Sequence, residues 1–270
     1  MKTILFHVQD DDGLDYGFDS AQSIARACGG HLHCLHAVPN SAFITGGGMA
    51  DADSAETVAD FLSGRAETLR ARIENDLANE DLSWDYRHVI GDVATAFIQE
   101  ASLCDLIVSN RNAPRGRSDE SPLRRLGLVL EGAGTPVFIP GRNGKLIDPN
   151  GPAVIAWDGS HEASIAVRQS IGLLKLASET LVLRVNRRKD AFPDTRLLEY
   201  LSRYGIKAEL TVEDADERDV GPLLIDFAER AGNAYIVMGA YSHSRVGEYL
   251  FGGLTRRMLK DCPVGILLSH

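Results

Sequence analysis

Residues 235–254 read YIVMGAYSHSRVGEYLFGGL: an apolar run from Tyr235 to Met238, a loop punctuated by Gly239, Gly252 and Gly253, then from Leu254 a segment with apolar residues at helical spacing. A strand that enters a glycine loop and then a helix N-terminus is one unit of an α/β fold. It is also the arrangement that lets backbone N–H groups hold a phosphate. Upstream, the pattern occurs twice. Ile4–Asp10 (ILFHVQD) resembles Ala153–Asp158 (AVIAWD), each an apolar run ending in an acid before a helical pattern, with Asp10 and Asp158 separated by 148 positions. Asp92-Val93, an amphipathic stretch and DLIVS match Asp219-Val220, a similar stretch and AYIVM at a separation of 127. The first copy therefore holds 21 extra residues between these anchors, and Ser41–Ala59 with its Gly46-Gly47-Gly48 tract is where they fit. Both copies close on a proline-led strand, TPVFIP from Thr135 and CPVGILL from Cys262.

Within each copy, short apolar and β-branched runs alternate with longer helical patterns. In the first copy strands are expected at Thr3–Val8, His31–Val38, Ser83–Val89, Leu106–Ser109 and Pro136–Ile139, with helices near Gly17–Cys28, Ala55–Leu77, Val93–Ala101 and Leu123–Leu130. The second repeats the order, with strands at Ala153–Trp157, Thr180–Val185, Lys207–Val212, Tyr235–Met238 and Val264–Leu268, and helices near Glu162–Leu176, Asp194–Tyr204, Val220–Ala231 and Leu254–Lys260. Such alternation predicts parallel strands joined by right-handed crossovers. The expected architecture is α/β: two tandem five-stranded parallel-sheet sandwiches, residues 1–142 and 152–270. The aperiodic, turn-rich Gly141–Gly151 is the expected linker. In open parallel sheets ligands bind at the carboxyl ends of strands where the strand order reverses. In the second copy that edge gathers Asp158, Val185 and the loop after Gly239.

A formal charge of −10 argues against a nucleic-acid partner, which needs clustered Lys and Arg. The four cysteines show no CxxC spacing and are expected to be reduced and intracellular. The N-terminal apolar run is too short for a signal peptide, and no apolar stretch approaches the roughly 20 residues a bilayer needs. The expectation is a cytoplasmic protein with no membrane partner. His31, His33 and His36 cluster with Cys34, but on a strand His31 and His33 share one face and His36 the other, so four convergent metal ligands are not expected. There is no GK[ST] lysine, GxSxG elbow, HExxH or visible carboxylate pair, so no catalytic residue is assigned.

The segments AWDGSHEA from Ala156, VMGAYSHSR from Val237, FGGLTRRML from Phe251 and the closing CPVGILL resemble the universal stress protein family, and the doubled layout resembles its tandem form. The resemblance spans essentially the whole chain. It implies an adenine nucleotide alpha hydrolase-like, Rossmann-like fold with the copies related by a pseudo-two-fold axis. It also implies a role in stress response and ATP or a related adenine nucleotide, with or without Mg, as a regulatory ligand. In nucleotide-binding members the loop follows G-x2-G-x9-G-[ST], which falls here on Gly239, Ser242, Gly252 and Gly253; the first and third match. Ser242 places a Cβ where φ > 0 is expected, at about 1–2 kcal/mol, and Gly253 lacks the terminal hydroxyl. Backbone donors at Gly252, Gly253 and Leu254 survive both changes. By the same resemblance Asp158 contacts adenosine and the backbone near Val185 reads the adenine edge.

The residue-level readings leave plainer roles open. The glycines can simply form turns, and Asp158 or Ser160 can cap the following helix. In the first copy the positions matching Gly252 and Gly253 are Arg125 and Leu126, so a degenerate partner without the phosphate loop is expected. The resemblance further implies pairing of the closing strands, Pro136–Ile139 with Val264–Leu268. It leaves open a homodimer of the whole chain and unidentified protein partners. The alternative to a nucleotide-regulated protein is an interaction module of the same fold; an enzyme, at most a slow ATP hydrolase, ranks last.

Overall fold

The computed structural model describes residues 1–39, 52–111, 122–142, 144, 146–186, 192–232, 234–240 and 253–270, with backbone alone for 52–62, 122 and 217. In the first half β1 (Thr3–His7), α1 (Leu14–Cys28), β2 (His31–Val38), α2 (Ala52–Leu77), β3 (Ser83–Ile90), α3 (Val93–Glu100), β4 (Leu106–Val108), α4 (Pro122–Ala133) and β5 (Val137–Ile139) follow in order. The second half repeats the series as β6 (Ala153–Trp157), α5 (His161–Leu174), β7 (Thr180–Val185), α6 (Asp194–Arg203), β8 (Ala208–Glu213), α7 (Val220–Arg230), β9 (Tyr235–Gly239), α8 (Gly253–Asp261) and β10 (Ile266–Ser269). The expected elements are all present, with ends moved by a few residues.

The two expected sheets are one. Ten strands run β3-β2-β1-β4-β5-β10-β9-β6-β7-β8, so the order of the second half mirrors that of the first. Every neighbouring pair is parallel except β5 and β10 at the centre, where Ile139 faces Ile266 and Val137 faces Leu268 antiparallel. The closing strands thus pair as expected, and each half hides an edge against the other. β6 is apolar along its whole length and β1 from Ile4 to Phe6, as befits strands covered on both faces. The outer strands β3 (SWDYRHVI) and β8 (AELTVE) alternate exposed with less exposed residues.

Two apolar layers sandwich the sheet, and each continues through both halves. One joins Phe6, Phe18 and Ile73 to Phe138, Trp157 and Leu197; the other joins Leu5, Phe97 and Leu130 to Leu183, Leu224 and Met258. Local chemistry sets the ends of the helices between them. Asp92 caps α3 by accepting from Thr95 N–H at 2.8 Å. Gly29 ends α1 in the left-handed region at φ 53°, where glycine carries no Cβ penalty. Arg111, from the first half, donates to the carbonyls of Leu259 and Cys262 at the C-terminal end of α8, holding that helix from behind.

Candidate functional site

In the second half the strand order reverses between β6 and β9: the chain moves outward from β6 to β7 and β8, then returns to lay β9 on the other side of β6. The carboxyl ends of β6, β7 and β9 frame a cleft there, bounded by Asp158, Val185, Gly239 and Leu254. These are four of the seven site residues expected from the sequence. A fifth, Gly253, opens α8 beside Leu254. Ser242 and Gly252 lie outside the described residues. Leu183, Leu224 and Met238 give the cleft an apolar floor, a feature the motif-based reading did not name. The described residues bound about 80 Å³, below the ~300 Å³ at which small-molecule pockets usually begin, so they frame only part of a nucleotide-sized site.

Each group is aimed by its local structure. Asp158 Oδ1 accepts from Ser160 N–H at 2.9 Å, a tight turn just past β6. Ser160 rather than Asp158 caps α5, its hydroxyl accepting from Ala163 N–H at 3.1 Å. The other oxygen of Asp158 has no partner among the described residues and is available to a hydroxyl or amine donor. At Val185 the direction follows from the peptide plane. Asn186 N–H donates to Glu213 O in β8 at 2.9 Å, and the peptide is trans. The Val185 carbonyl therefore points the other way, toward β6, whose ladder with β7 stops at Trp157 and Arg184. Asn186 itself sits at φ 56° and is held by its own amide, which accepts from Ala215 N–H and donates to Ala215 O. The result is a backbone acceptor at the carboxyl edge of the sheet, directed toward β6.

The two described glycines of the loop motif differ in kind. A Cβ built on Gly239 falls 2.6 Å from the carbonyl carbon of Glu162 and 2.7 Å from Ala163 N, both backbone atoms of α5. Gly239 thus lets β9 pass the first turn of α5, a packing duty independent of any phosphate. A Cβ on Gly253 meets no described residue within 4 Å. We expect Gly239→Ala to lower stability by about 1–3 kcal/mol in nucleotide-free protein, read from the urea midpoint. Unchanged stability would show that α5 can yield, and would return Gly239 to a phosphate role alone.

The corresponding cleft of the first half is filled. Arg125, at the position matching Gly252, is buried and donates to Gln9 Oε1 at 2.7 Å. Gln9 Nε2 donates to Asp11 Oδ2 at 2.6 Å, while Gly13 N–H and Asn110 Nδ2 donate to Asp11 Oδ1. Burial drives the Asp11 carboxyl up to about 6 and holds His7, beside Arg125, well below the usual histidine range. About 10 Å³ remains between His7, Asn110 and Arg125. The expected loss of the phosphate loop is thus accompanied by a cationic plug. The sequence identified Arg125 as a departure but gave no sign that its side chain turns inward.

His31 and His33 share a face, as expected, and both reach the carboxylate of Asp85 on β3. His36 stacks with His88 at 4.9 Å between ring centroids. Among the described residues no group of three or more His, Cys, Asp and Glu side chains is placed to hold a metal ion. Nor is any described helix long and apolar enough to cross a membrane.

No family model matches the chain, and no curated protein does. Solved structures do. A universal stress protein from Archaeoglobus fulgidus DSM 4304 superposes over 99% of this chain and 97% of its own, with a TM-score of 0.72 at 17% identity. A protein from Pseudomonas aeruginosa UCBPP-PA14, provisionally assigned to the universal stress proteins, covers 100% and 93% with a TM-score of 0.61 at 18% identity. The cytoplasmic domain of a prokaryotic cation chloride cotransporter covers 99% and 94% with a TM-score of 0.54 at 13% identity. At these identities the likeness establishes the fold, which the full chain shares with both stress-type structures. The cotransporter match shows that the same fold also serves another kind of protein.

Proposed function

We propose that this chain, which has the fold of the universal stress proteins over its full length, is a tandem member of that family. Its domains are residues 1–142 and 152–270, and the second binds ATP or a related adenine nucleotide as a regulatory ligand. One observation carries the reading: the free carboxylate oxygen of Asp158, the backbone carbonyl of Val185 and the first turn of α8 converge on one cleft where the strand order reverses. A donor-bearing ribose suits Asp158, an adenine amine suits Val185, and an apolar floor suits the ring between them. Free N–H groups and the dipole at the start of α8 favour an anion by about 0.3–1 kcal/mol. The first domain is the structural partner, its own cleft occupied by Arg125. No residue is assigned a catalytic role, and any hydrolysis is slow. The proposed working site is the cytoplasm, with protein partners engaged according to whether nucleotide is bound.

Ligand linkage supplies the test. At a hundredfold excess over Kd a nucleotide stabilises the folded chain by about 2.7 kcal/mol, so Mg-ATP should raise Tm by several degrees. Asp158→Ala should abolish the shift without lowering the nucleotide-free Tm by a comparable amount. Gly253→Ser, which supplies a hydroxyl at the motif's last position, should enlarge it. An unchanged Tm for the wild-type chain at millimolar Mg-ATP would overturn the reading.

A further inference from the structure

An apolar-walled cavity opens on the other face of the sheet from the nucleotide cleft. It occupies about 290 Å³ between α5 and α6, at the lower end of the range for small-molecule sites. Trp157 is its floor, with Phe192 and Tyr200 beside it. Phe192 stands edge-on to Trp157 at 6.3 Å between ring centroids, yet 41% of it is exposed. An aromatic ring left half open above a second ring is a poor use of apolar surface unless a third ring covers it.

The polar groups at the rim are nearly all of one sign. Arg168, Arg196 and Arg203 face the cavity together with a single acid, Glu199. Glu199 pairs with Arg203 one helical turn along α6, at 4.0 Å. Arg168 and Arg196 have no carboxylate partner among the described residues. The Arg196 guanidinium instead lies 4.9 Å from the Phe192 ring centroid, a stacked placement that leaves its donors directed outward. In a chain of net charge −10, two guanidinium groups with no carboxylate partner among the described residues form, above an aromatic floor, a local field suited to an anion. The indole N–H of Trp157 is already committed to Asp194, so the ligand meets that side chain as apolar surface and finds its polar contacts at the arginines.

We infer that this cavity binds a small aromatic carboxylate, its ring against Trp157 and Phe192 and its carboxylate toward Arg168 and Arg196. The site shares Trp157 with the nucleotide cleft but opens on the opposite face: Val167 and Leu197 belong to one apolar layer, whereas Leu183, Leu224 and Met238 belong to the other. Its proposed contacts at Phe192, Arg168 and Arg196 are not among the walls of that cleft.

The chain has two tryptophans, and the other, Trp84, lies on the outer strand β3. Trp84→Phe therefore leaves Trp157 as the sole reporter at the cavity floor. Titrating that protein with 3-phenylpropanoate should give a saturable change in tryptophan emission, confirmed by calorimetry. The neutral analogue 3-phenylpropan-1-ol should bind about tenfold more weakly or worse, because it forfeits the charge-assisted contacts. Arg168→Gln combined with Arg196→Gln should weaken the acid by a similar factor and leave the alcohol unaffected; both positions are exposed, so the fold is retained. Asp158→Ala should leave the titration unchanged. The inference is overturned by any one of three results: no saturable response to the acid in the millimolar range, equal binding of acid and alcohol, or loss of the response in Asp158→Ala, which would place the ligand in the nucleotide cleft.

Discussion

Asp194→Ala is expected to cost about 3–5 kcal/mol of folding stability, the penalty for leaving a buried charge without its partner. Asp194, in the first turn of α6, receives Arg184 Nη1 at 2.6 Å and Trp157 Nε1 at 3.1 Å on the same oxygen. The two donors are cross-strand neighbours, since the register of β6 and β7 pairs Trp157 with Arg184. One carboxylate therefore fastens the start of α6 to the ends of two central strands. The Arg184 side chain is 3% exposed and its Nε has no partner among the described residues, so little is at hand to compensate the guanidinium once Asp194 is gone. Against a typical domain stability of about 5–15 kcal/mol the loss is large, and urea denaturation followed by circular dichroism should show a midpoint shift of matching size. Arg184→Met in the Asp194→Ala background removes the stranded charge and should recover most of it, because an apolar replacement for both members of a buried pair is often neutral or better. A loss below about 1 kcal/mol in the single variant would show that Arg184 reaches solvent. The same substitution frees the Trp157 indole at the floor of the aromatic cavity, so the double variant also asks whether that ring needs Asp194 to hold its place.

Where contacts are short in sequence, the chain could be read. AVIAW and the ILF of TILFH announce strands because they are apolar without alternation, and Asp92-Val93 ahead of an amphipathic stretch announces a helix. The doubled pattern then implies two mirrored halves. Less legible were the packing duties of glycines. Gly17 looked like the beginning of a helix, yet α1 starts at Leu14, and Gly17 lies inside it because a Cβ there would fall 2.2 Å from Asn110 Oδ1. Gly239 reads as a phosphate glycine, and the close approach to α5 that it also permits is not foreseen. In both cases the constraint comes from a segment more than 70 residues away in the sequence, which no local window contains. The inward turn of Arg125 has the same origin, since Gln9 and Asp11 lie far upstream. Arg184 is different: an arginine within TLVLRV, a strand expected to be covered on both faces, already demanded a buried acid, and that signal was legible but unused. The candidate site divides along the same line. Asp158 and Val185 followed from topology, the apolar floor did not, and Ser242 and Gly252 fall outside the described residues.

Phe138→Ala should cost about 3–5 kcal/mol, the usual range for deleting a fully buried aromatic ring, and its effect should spread across both halves. Phe138 is 0% exposed and sits in β5, opposite Leu267 of β10, where the sheet changes from parallel to antiparallel. A Cβ built on Gly265, just before β10, lies 2.4 Å from the tip of the Phe138 ring, so ring and glycine are complementary: one fills the space that the other leaves. That relation predicts a double-mutant cycle with a specific sign. Gly265→Ala alone should destabilise by about 1–3 kcal/mol through overpacking, whereas in the Phe138→Ala background it should be neutral or partly restorative, giving a coupling of at least about 1 kcal/mol. Additive losses would mean that the two residues do not share the joint. The functional consequence follows from the ladder. β10 holds β9 through Ser269 opposite Gly239, and Gly239 borders the cleft proposed for the nucleotide. A loosened joint should therefore weaken Mg-ATP binding as well as folding, although Phe138 lies outside the cleft. Restoring the packing with Gly265→Ala should recover both together, whereas recovery of stability without recovery of binding would separate the joint from the site.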